Sequence, residues 1–64
     1  MSDIMIDRLK ESIHKRVLIF LHNGFRYQGK VTACDEKYVE ILDDKIQGYK
    51  ILELIDIKEI EVKE

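Results

Sequence analysis

Apolar positions recur along this chain at two different periods. Ile6, Leu9 and Ile13, with Met5 beside them, fall three and four residues apart and form one narrow stripe, which predicts a helix over residues 3–14. Ser2 or Asp3 can cap its start, and Asp3 and Asp7 sit where the helix dipole favours negative charge. From Val17 the pattern changes. Val17-Leu18-Ile19-Phe20-Leu21 is a continuous β-branched and aromatic run, too short for an independent helix and suited to a strand. Asn23-Gly24 follows, a strong hairpin signal, because both residues tolerate the positive φ of a type I′ turn. A second strand is expected from Phe25 to Cys34.

A two-residue turn at Asn23-Gly24 pairs His22 with Phe25, Phe20 with Tyr27 and Leu18 with Gly29. Phe20, Phe25 and Tyr27 then share one face, with Arg26, Gln28 and Lys30 on the other beside Val17, Ile19 and Leu21. Gly29 inside a strand marks a sharp bend or a close backbone approach. Asp35-Glu36-Lys37 reads as a turn, Tyr38–Leu42 as a third strand and Asp43–Gly48 as a polar turn. Tyr49–Leu54 is a fourth strand, Ile55–Lys58 a tight turn and Glu59–Val62 a last strand. The expected fold is mainly β: an N-terminal helix, then five strands over about 16–62 in a strongly bent antiparallel sheet, one domain over 1–64.

Size adds a constraint. A chain of 64 residues buries about 60 % of its unfolded surface, which leaves a lone core marginal. Small domains compensate with disulfides, metals or association. Cys34 is the single cysteine and closes no intrachain disulfide, and no Cys/His cluster suggests a metal, so self-association is the expected remedy. No apolar run approaches the ~20 residues of a membrane span. Asp3 and Asp7 among the first apolar residues do not suit a secretory signal. A cytoplasmic location without membrane contact is expected.

The net charge is −2, but its distribution is uneven: residues 1–34 carry +3 and residues 35–64 carry −5. Mixed charge of this kind is ordinary solubilising surface, yet a fold that separates the halves would display a basic face.

The string Val17-Leu18-Ile19-Phe20-Leu21-His22-Asn23-Gly24-Phe25-Arg26-Tyr27-Gln28-Gly29-Lys30-Val31 resembles the first motif of the Sm-like (LSm/Hfq) family: a hydrophobic strand, Asn-Gly, a hydrophobic residue, then Gly and another hydrophobic residue. Asp35 and the strand Tyr38-Val39-Glu40-Ile41-Leu42 continue the likeness, which is firmest over residues 15–44. The resemblance implies a small barrel whose subunits join edge to edge, fourth strand to fifth, in homo-oligomeric rings of six or seven. It also implies binding of single-stranded RNA. The second family motif departs from the pattern: Tyr49-Lys50 is followed by Ile51, a later alignment puts Leu54-Ile55-Asp56 there, and neither placement supplies the usual cation. Val39 stands where the uridine pocket has an Asn. Tyr38 remains available to stack on a base. In Hfq-type members adenines rest against the first hairpin, and the matching positions are Phe20, Phe25 and Tyr27, interleaved with Gly24, Arg26 and Gln28. A-rich RNA is therefore among the implied ligands.

Each candidate has a plainer alternative. Phe20, Phe25 and Tyr27 form either a stacking platform or core packed under the helix. Arg8, Lys15 and Arg16 form either a basic rim for phosphates or complements to the helix dipole. His14 and His22 have no metal-ligand spacing, Cys34 reads as a small buried hydrophobe, and Asp35 reads as a turn residue. No nucleophile elbow, carboxylate pair or Gly-rich phosphate loop is present, so neither enzyme activity nor a cofactor is expected. The competing function is a protein–protein assembly module on the same fold without RNA binding, favoured by Val39, the missing cation and the net acidity.

Overall fold

The apolar stripe of the first residues forms helix α1, Ile4–Glu11, in a computed structural model that describes residues 4–63. The caps expected at Ser2 and Asp3 lie outside the described residues. α1 stops short of the His14 expected from periodicity because the chain after it pairs with the sheet. The His14 N–H donates to the Val31 carbonyl (2.7 Å), Ile13 makes a parallel bridge to Val31, and His14 adopts a left-handed φ of +74°. Tertiary pairing overrides helical spacing there. Leu9 is fully buried, and Met5 and Ile13 pack beside it against the core.

Five strands follow: β1 Arg16–Leu21, β2 Arg26–Cys34, β3 Tyr38–Asp43, β4 Gly48–Glu53 and β5 Ile57–Lys63, with a 3-10 turn at Leu54–Asp56. They form one antiparallel sheet in the order β4-β3-β2-β1-β5. β5 starts two residues before the expected Glu59, because Ile57 is buried and pairs with Leu21.

The first hairpin differs from the expected register by one residue. β1 and β2 pair Val17 with Gly29, Ile19 with Tyr27 and Phe20 with Arg26, not Phe20 with Tyr27. His22, Asn23 and Gly24 form a three-residue link. The Gly24 N–H donates to the Leu21 carbonyl (3.1 Å), the Leu21 N–H to the Phe25 carbonyl (2.8 Å), and only Gly24 of the three has positive φ, at +92°. That combination is the type I turn closed by a left-handed glycine, whereas a type I′ turn needs positive φ at two residues. Burial decides the register. The two-residue alternative would set Arg26, Gln28 and Lys30 beside Val17, Ile19 and Leu21, and a one-residue slip exchanges every side chain between faces. The observed register gathers Val17, Ile19 and Leu21 with Tyr27, Gly29 and Val31 instead.

The core comprises Leu9, Val17, Ile19, Leu21, Val31, Val39, Ile41, Leu52 and Ile57 on the concave face. β2 is the strand that bends. A straight nine-residue strand would hold its ends roughly 30 Å apart. Here the turns flanking β2 are bonded to opposite ends of the same 3-10 turn: the His22 N–H donates to the Asp56 carbonyl (3.0 Å), and the Leu54 N–H to the Lys37 carbonyl (2.8 Å). Two features allow the bend. Gly29 lies against the Leu42 backbone, where a Cβ would overlap the carbonyl oxygen. A bulge at Thr32 separates Val31 from Ala33 in register, and Thr32 Oγ1 is tied to Glu40 Oε1 (2.8 Å). The curl also brings Lys50 of β4 over the Tyr27 ring, Nζ 4.6 Å from its centroid.

Candidate nucleic-acid interface

The hairpin register determines which side chains face away from the core. On the convex face Phe20 of β1 lies between Arg26 of β2 and Glu59 of β5, Leu18 between Gln28 and Glu61, and Arg16 between Lys30 and Lys63. Phe20 and Leu18 are half-buried and stand outside the core cluster. The convex face of β1 and β2 thus combines an aromatic and an aliphatic side chain with three cations and an amide.

The three expected aromatics are not on one face. Tyr27 points inward, half-buried against the core under Lys50. Phe25 sits at the hairpin tip, 64 % exposed, its N–H donating to Asn23 Oδ1 (3.0 Å). Arg26 and Gln28, expected on the face opposite Phe20, instead join it on the convex face, with Leu18 as the neighbour that the sequence did not single out. Its face was the expected one, but its partner across the hairpin is Gln28 and not Gly29.

Tyr38 belongs to a different site. Asp35 organises the turn before it: its N–H donates to the Tyr38 carbonyl (2.9 Å), and its Oδ1 accepts from the Lys37 and Tyr38 N–H groups at 2.7 Å each. Those two donors hold the Asp35 carboxyl below its ordinary pKa, with Lys10 and Lys37 assisting. Tyr38 is exposed and borders a largely apolar concavity of about 440 Å³ with Cys34, Glu40 and Ile51. Burial pushes the Cys34 thiol up, Lys10 opposing and Asp35 adding to the shift. Val39 is fully buried, so the position matching the family's uridine-pocket Asn faces the core.

The basic residues near the helix divide. Arg8 and Lys15 border one shallow recess with Glu11, Ser12 and Val62, and Arg8 pairs with Glu11 at 3.5 Å. Arg16 turns to the convex face, where its Nη2 pairs with Asp44 Oδ2. Among the described residues, no group of three His, Cys, Asp or Glu side chains is placed to hold a metal ion, and no helix is long and apolar enough to cross a membrane.

Helix, bent second strand and the order β4-β3-β2-β1-β5 define the Sm-like fold. The chain matches a crystal structure of Hfq, described as a pleiotropic translational regulator, with a TM-score of 0.82 over 94 % of this chain and 100 % of that one. Sequence identity is 19 %, so the likeness establishes the fold. No family model and no curated protein matches the sequence.

Proposed function

We propose that this chain is a non-enzymatic RNA-binding protein of the Sm fold, acting in the cytoplasm as a homo-oligomeric ring of six or seven subunits that holds single-stranded RNA. The observation that carries the proposal is the convex row Arg26–Phe20, continued by Gln28–Leu18 and Lys30–Arg16. An aromatic side chain with cations along its β2 side, Glu59 and Glu61 lying on its β5 side, has the chemistry of single-strand binding along one flank: bases stack at about 1–3 kcal/mol each while cations follow the backbone. Phe25 at the exposed tip, shaped by Gly24, extends the stacking surface, and Tyr38 offers a separate stacking position at the β2–β3 turn. Arg8 and Lys15 add phosphate contacts at the helix. Tyr27 contributes by packing beneath the platform.

Assembly is supported by the two outer strands of the sheet. β4 and β5 each leave one edge without a partner in the single chain, and a free edge is a template for pairing. Tyr49 and Ile51 on β4 are 67 % and 63 % exposed, an apolar dressing suited to being covered.

Fluorescence anisotropy with oligo-A and oligo-U at low and moderate salt tests the RNA role. Micromolar or tighter binding that weakens with salt is expected. A protein that binds neither oligomer leaves the assembly-module alternative, and partners retained after nuclease treatment would establish it. Sedimentation should give one species of six or seven times 7.6 kDa; a stable monomer contradicts the ring.

A further inference from the structure

Beside the Phe20 row, the convex face holds a concavity of about 530 Å³ bordered by Leu18, Arg26, Gln28, Asp44 and Lys45. That volume falls in the ordinary range for small-ligand sites. The backbone beneath its walls is fixed, while the side chains of Arg26, Gln28, Asp44 and Lys45 are exposed. The Asp44 N–H donates to the Gln28 carbonyl (3.0 Å), fixing the β3–β4 turn against β2. The same turn is held from below by buried Asp43, whose Oδ1 accepts the Lys45 N–H at 2.7 Å. Arg16 engages Asp44 through one oxygen, Oδ2, and Oδ1 accepts no hydrogen bond among the described residues. A carboxylate has about four lone-pair sites, so acceptor capacity remains. Arg26 and Lys45 make no ion pair among the described residues.

We propose that this concavity selects guanine in single-stranded RNA, with the Asp44 carboxylate as the specificity-determining group. The inference rests on the RNA-binding proposal and narrows it to a base other than the adenine implied by family resemblance. Guanine presents two donors, N1–H and N2–H, beside the acceptors O6 and N7. A carboxylate and two cations bordering one concavity match both halves: Asp44 accepts from the donors, and Arg26 or Lys45 donates to the acceptors. Leu18 supplies an apolar surface for the ring, and Gln28 adds an amide that serves either half. Adenine turns its N1 lone pair toward the same carboxylate, and uracil offers one donor where guanine offers two. Single-stranded bases are open to reading along this edge.

The test compares labelled 12-mers of repeated UUG, UUA and UUI, where I is inosine, guanine without its 2-amino group. Isolated purines in a uridine context avoid stacked guanine tetrads. The expected result is about tenfold or more tighter binding of the UUG repeat than of UUA, with UUI between them. D44N should bring the UUG and UUA affinities together while leaving UUA within about twofold of the parent. R16Q removes the ion pair but not the carboxylate, and should keep the guanine preference; it separates base reading from a merely structural role of Asp44. UUA binding as tightly as UUG, or a full guanine preference retained in D44N, overturns the inference and leaves RNA binding intact. No binding to any of the three oligomers overturns the RNA proposal as well.

Discussion

Gly29 and Asp35 carry out local tasks that other residues perform poorly. Any Cβ at position 29 would press into the Leu42 carbonyl, and backbone cannot yield as a flexible side chain can. Gly29→Ala should therefore cost about 1–3 kcal/mol, read as a lower urea midpoint with an unchanged slope. Asp35 makes a pH prediction. Its carboxyl is held low by the Lys37 and Tyr38 N–H groups, so the ionised form is favoured in the folded state. The resulting stabilisation is present above the ordinary carboxylate pKa and is lost as pH falls below about 4 through the depressed value. Urea midpoints should fall with acid in the parent and less steeply in Asp35→Ala. Both roles were readable from sequence: a glycine within a strand points to a bend or a close approach, and an aspartate opening a turn points to bonds with its own backbone. The inward turn of Tyr27 was not readable, because its direction depends on pairing rather than on residue type.

The hairpin shows where sequence patterning stops at the scale of elements. Asn-Gly is compatible with a two-residue link and with a three-residue link ending in the same glycine, and both faces of Val17–Leu21 are apolar, so β1 alone does not choose. Arg26, Gln28 and Lys30 choose, by avoiding the core. Two variants separate the faces. Phe20→Ala should weaken RNA binding by about 1–3 kcal/mol with little change in melting temperature. Tyr27→Ala should leave the convex face in place and lower stability by about 2 kcal/mol, short of the 3–5 kcal/mol of a fully buried aromatic. The reverse pattern, measured by anisotropy and thermal melts, would place the stacking surface on the other side. The helix end was hidden for a related reason: periodicity runs on to Ile13, but that residue is captured by Val31 of β2.

On the scale of the whole molecule, strand count, antiparallel pairing and curvature agree with what the sequence implied. The part that could not be foreseen is the closure of both β2 flanks on Leu54–Asp56, a contact between residues far apart in the chain. Salt dependence probes the proposed RNA contact. If the basic convex row tracks the RNA backbone, log Kd against log salt should have a slope near 0.7 per phosphate contacted, and Arg26→Ala should flatten it. The two uncovered sheet edges carry a last consequence. They are different strands in different dress, one apolar with Tyr49 and Ile51, the other charged with Glu59, Glu61 and Lys63. Copies that add β4 to β5 repeat one step in one sense, with no twofold partner to halt growth. Such a step either meets its own beginning or runs on without end, so substitutions that alter the angle between copies should yield filaments rather than dimers.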